Sequence, residues 1–81
     1  MKVTLYTTAG CHLCEQALDM LQTLQRDGMS LTVCEVDISE SESLMEAYGV
    51  RIPVIATGEY EDDLGWPFSI GELTAFIKRE V

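Results

Sequence analysis

Two of the chain's three cysteines stand close together in the stretch TTAGCHLCEQALDML, with only His12 and Leu13 between Cys11 and Cys14. Pairs at this spacing serve three chemistries: they clasp a metal, staple a fold, or cycle between dithiol and disulfide. A closed zinc site takes four ligands, usually from two clusters. The inventory here is Cys11, Cys14, Cys34 and His12, with Cys34 inside a strand-like segment and His12 projecting away from the two thiols. No metal site is therefore expected. An odd cysteine count also excludes a complete disulfide framework, and Cys34 reads as a small buried hydrophobe. In a reducing compartment a lone C-x-x-C is catalytic or metal-binding more often than structural.

The neighbouring residues place the pair. Lys2 to Thr7 alternates Val3 and Leu5 with polar residues and predicts a strand. Leu13, Ala17, Leu18, Leu21 and Leu24 recur at helical spacing, predicting a helix that starts near Cys11 and stops at Gly28. Cys11 then occupies the first turn, where unpaired N–H groups and the helix dipole favour an anion. A free thiol of pKa ~8.5 is only slightly ionised at neutral pH, whereas thiols so placed fall to ~3.5–7.5. Cys14 follows one turn later on the same face, within disulfide reach and more shielded. That inequality suits Cys11 to attack a disulfide and Cys14 to resolve the product. His12 either places an imidazolium beside Cys11 that further favours the thiolate or, since adjacent helical side chains do not face one another, points to solvent and tunes the pair weakly.

Leu31 to Ile38 predicts a second strand, parallel to the first and joined to it by a right-handed crossover. In DISESESLMEAYGV, Ser39 and Glu42 form a capping box for a helix that Gly49 ends. RIPVIATGEYEDDLG predicts a strand from Val54 to Thr57, a turn at Gly58 and a short polar edge strand near Tyr60, paired as a hairpin. The acids Glu59, Glu61, Asp62 and Asp63 read as a solvated edge. Ser69 and Glu72 cap a last helix, with Ile70, Leu73, Phe76 and Ile77 as its buried face and Lys78 and Arg79 near its end. The order β-α-β-α-β-β-α predicts an α/β domain, a four-stranded mixed sheet flanked by three helices. Eighty-one residues suffice for one core, so residues 1–81 are expected to form a single domain. A net charge of −9 argues against a nucleic-acid partner. No apolar run nears the ~20 residues that span a bilayer and no signal peptide opens the chain, so a cytoplasmic monomer is expected.

With the strand, the C-x-L-C helix start and Ile52-Pro53 in place, the chain resembles the thioredoxin fold. It is most similar to the compact glutaredoxin-like group, through LYTTAGCHLCEQA, VDI and YGVRIPV. The resemblance implies thiol–disulfide exchange without a bound prosthetic group, Cys11 as nucleophile and Cys14 as resolving thiol. It implies a disulfide-bearing protein or small thiol as partner, and glutathione or another dithiol protein as co-substrate. It also implies a cis Pro53 beside the dithiol, leaving the backbone of Ile52 free to pair with an extended substrate. Candidate substrate-binding positions are Thr8, His12, Arg51, Ile52, Pro53, Trp66 and Ser69. Glutaredoxins commonly carry a lysine three residues before the first cysteine, at glutathione's carboxylate; Thr8 stands there. Their glycine pair and aspartate before the last helix are replaced by LGWPFS. Arg51 either supplies the missing positive charge or forms a surface ion pair. Trp66 either lids the dithiol or covers the base of the last helix, and Ser69 either meets a ligand or caps. The alternative reading is a thioredoxin-fold binding module whose dithiol is idle or regulatory.

Overall fold

The computed structural model describes residues 1–57 and 63–78. Among these residues four strands, β1 (Lys2–Thr7), β2 (Thr32–Asp37), β3 (Val54–Ala56) and β4 (Asp63–Gly65), form one mixed sheet in the order β2-β1-β3-β4. Three helices, α1 (His12–Arg26), α2 (Glu42–Tyr48) and α3 (Ile70–Lys78), complete the predicted element order. β1 runs parallel to β2, with Leu5 opposite Glu35 and Thr7 opposite Asp37. β3 runs antiparallel to β1, with Val54 opposite Tyr6, and β4 returns antiparallel to β3.

Alternation along these strands decides what each face buries. Val3, Leu5 and Ile55 turn to one face and meet Ala17, Leu21 and Leu24 of α1 and Leu73, Phe76 and Ile77 of α3. Removing each of the larger side chains from water contributes roughly 1.5–3 kcal/mol, which holds α1 and α3 against the same side of the sheet. On the opposite face Tyr6 stacks on Tyr48 of α2, with ring centroids 4.2 Å apart. Burial pushes the Tyr6 phenol above its usual range, and the adjacent Tyr48 adds to the effect.

The end of α1 is set by backbone geometry. The N–H of Gly28 donates to the carbonyl of Gln25 and that of Met29 to Leu24, the paired bonds of a Schellman turn. Gly28 has a φ of +104°, a conformation that only glycine adopts at low cost.

Several expectations need correction. The Ser39–Glu42 capping box does not form. Asp37 instead accepts from the Ser39 N–H (2.9 Å) and hydroxyl (2.7 Å), which winds Ile38–Glu40 into a 3-10 turn. The N-cap of α2 is Ser41, whose hydroxyl accepts from the Leu44 N–H. Leu13 and Ile70 lie at the first turns of their helices, beyond the reach of the core, and each is 41% exposed. Cys34 is half-buried, because β2 is an edge strand, and carries a free thiol. The fourth strand lies at Asp63–Gly65. The expected turn at Gly58, the strand near Tyr60, the acids Glu59, Glu61 and Asp62, and Arg79 fall outside the described residues.

Candidate functional site

The sheet delivers the cysteines to the carboxyl end of β1. The chain leaves the strand at Thr7, turns through Gly10 at a φ of +77°, and starts α1 with Cys11 as its N-cap. Cys11 has extended backbone angles, and its carbonyl accepts the first helical bond, from Glu15 N–H at 3.2 Å. Its sulphur takes the place of the usual capping oxygen and accepts the N–H of Cys14 at 3.2 Å. A sulphur anion at this position meets an N–H that the helix cannot otherwise satisfy. Cys14, 5.2 Å away by Cα, is bonded to Cys11 as a disulfide and is 3% exposed. The pair is unequal, with one sulphur at the rim and one behind it.

The two cysteines open onto a cleft of about 300 Å³ between the start of α1 and the carboxyl end of β2. Thr8 and Gly10 line it beside them, together with Glu15 and Leu18 of α1 and Glu35 and Asp37 of β2. Hydrogen bonds from the Ser39 side chain and backbone hold the Asp37 carboxyl below its usual range, with a smaller pull from the Thr8 hydroxyl. The reading from sequence missed Glu15, Glu35 and Asp37. The available signal was the register: parallel pairing sets Asp37 opposite Thr7, at the point where the chain turns toward Cys11.

A model of the glutaredoxin-like domain matches residues 2–78. The chain belongs to the glutaredoxin-like domain family. An X-ray structure of a structural-genomics target protein from X. campestris is 32% identical, with 95% of this chain and 96% of that chain covered and a TM-score of 0.82. A mutant thioredoxin from Halobacterium salinarum superposes with a TM-score of 0.70 at 23% identity, over 96% of this chain and 72% of that one. Thioredoxin 1 from Thermosipho africanus gives 0.63 at 24% identity, over 99% and 93%. No curated protein sequence matches the chain.

The remaining candidate residues of this glutaredoxin-like domain divide into groups. Thr8 alone joins the two cysteines in the cleft. His12 stands beside it with a side chain 91% exposed, its Nδ1 3.6 Å from a Glu15 carboxylate oxygen. Pro53 immediately precedes Val54, which pairs with Tyr6, so the Ile52–Pro53 turn sits at the same sheet end as the dithiol loop. That peptide bond is cis, and so is Trp66–Pro67, which the sequence reading did not foresee. The N–H of Ile52 is not free for a substrate, as it donates to the Tyr48 carbonyl at 3.1 Å; the Pro53 carbonyl in turn accepts from Trp66 N–H. Arg51 is no free anion anchor either. It pairs with Asp63 through both terminal guanidinium nitrogens and lies 5.9 Å from the centre of the Tyr48 ring. Trp66 packs at the core margin, edge-on to Phe68 with centroids 5.0 Å apart. Ser69 caps α3 reciprocally with Glu72, at 3.1 and 3.0 Å. Among the described residues no three His, Cys, Asp or Glu side chains gather as a metal site, and no helix is long and apolar enough to cross a membrane.

Proposed function

We propose that this glutaredoxin-like domain is a cytoplasmic thiol–disulfide oxidoreductase acting on a disulfide-containing protein or small thiol. One observation carries the reading: Cys11 caps α1 through its sulphur, while Cys14, its disulfide partner, is buried behind it. In the reduced protein the Cys11 thiolate, stabilised by the Cys14 N–H, attacks the nearer sulphur of a substrate disulfide. A Cys11–substrate bond forms, the substrate's S–S bond breaks, and the departing thiolate takes a proton from water. Cys14 then loses its proton and attacks the Cys11 sulphur, closing the disulfide and releasing the second substrate thiol. Two electrons and two protons pass from the dithiol to the substrate, and no prosthetic group is needed. The Ile52–Pro53 turn supplies the neighbouring wall for the substrate.

Glutathione fits this site poorly as a tightly held co-substrate. Thr8 replaces a lysine, Arg51 is paired with Asp63, and Ser69 with Glu72. A dithiol protein is the better source of electrons. Trapping tests the assignment: Cys14→Ser accumulates a mixed disulfide with substrate and Cys11→Ser does not. Equal trapping by both variants contradicts the roles given to the two sulphurs, and trapping by neither favours a binding module with an idle dithiol.

A further inference from the structure

We propose that the cleft beside the dithiol selects by charge, favouring disulfides that carry a positive group close to the sulphur and disfavouring anionic ones. This rests on the oxidoreductase reading and names the substrate class of that same site. The starting point is the cleft itself, an open space of about 300 Å³ whose wall includes both redox sulphurs. A substrate disulfide that reaches Cys11 must lay its flanking groups against that wall or against the turn at Pro53.

The charges on the wall are of one sign. Glu15 comes from α1, and Glu35 and Asp37 from β2, while among the described residues no lysine or arginine lines the cleft. Among the described residues no cation pairs with Glu35, and the only ion-pair partner of the Glu15 carboxylate is the exposed imidazole of His12. Thr8 adds a hydroxyl beside Asp37 and no charge. On the turn side, the cation nearest in sequence to Pro53 is consumed, because Arg51 is held by Asp63 and folded over the Tyr48 ring. These two observations are independent, one removing attraction for anions and the other supplying attraction for cations. A cationic group bound among the carboxylates also offsets their repulsion of the Cys11 thiolate as it forms. The carboxylates are solvent-facing, so each contributes modestly and salt weakens the effect.

The test is single-turnover reduction by the full chain, first reduced and then freed of reductant. Three probes are compared: cystamine (cationic), 2-hydroxyethyl disulfide (neutral) and 3,3′-dithiodipropionate (anionic). Rates for the two charged probes are normalised to the neutral one, and wild type is compared with Glu35→Gln and Glu15→Gln, so that intrinsic leaving-group differences cancel. The expected result is a cystamine-to-dithiodipropionate ratio that falls roughly two- to tenfold in each variant at low salt and shrinks in wild type as salt rises. A ratio that is unchanged or raised in both variants overturns the charge proposal and leaves the oxidoreductase reading standing. Reduction of none of the three probes by wild type overturns that reading, and this proposal with it.

Discussion

Arg51 closes on Asp63 across the start of β4, its guanidinium lying against Gly65, where an added Cβ would come within 3.4 Å of the terminal nitrogen. The ion pair therefore ties the loop before Pro53 to the hairpin strand that follows it. A cation that could have met a substrate carboxylate serves as a strut.

That strut is partly open to water, with the two side chains 43% and 20% exposed, so screening limits its worth. A double-mutant cycle with Arg51→Met and Asp63→Asn is expected to give a coupling of at most about 1 kcal/mol in urea unfolding. Coupling that disappears in high salt supports a pairing dominated by charge.

Asp37 makes stability depend on acid. Its carboxyl is held below the usual range in the folded chain, chiefly by the Ser39 hydroxyl and N–H. A group depressed by folding contributes stability that is complete above its unfolded pKa of about 4 and is lost as pH falls through the folded value. The expected outcome is that Asp37→Asn is less stable than wild type near neutrality, with the difference closing as the medium is acidified below that range. Parallel denaturant curves across pH check it.

Ser69→Ala removes the hydroxyl that accepts Glu72 N–H and leaves that donor unpaired at the start of α3. The expected loss is about 1 kcal/mol, with dithiol chemistry retained, because the Ser69 hydroxyl serves the helix end. Thermal unfolding and disulfide reduction measured on one preparation separate the two.

The sequence made some of this legible and hid the rest for identifiable reasons. Period-3.6 spacing of Ala17, Leu21 and Leu24 located α1, and Ser69 with Glu72 located the start of α3, because both signals are local. The cap of α2 lies two residues beyond the position its local pattern favours. Ser39 and Ser41 both fit a cap, and the choice was made by Asp37, which draws Ser39 into a separate turn. The cysteine pair could be read as redox-active from helix position alone. Its acidic surroundings could not, since Glu35 and Asp37 reach the cleft only through the pairing of β1 with β2. Nor could the fate of Arg51, whose partner lies twelve residues on, across the hairpin.

The most direct test of the account is a redox titration of the Cys11–Cys14 pair against a dithiol buffer, repeated with glutathione, with the protein's mass read at each point. The prediction is one reversible two-electron transition, about 30 mV for each tenfold change in the ratio of oxidised to reduced protein, with little glutathione adduct. A pair that stays locked in one state across the titration, or a dominant Cys11–glutathione adduct, would contradict it.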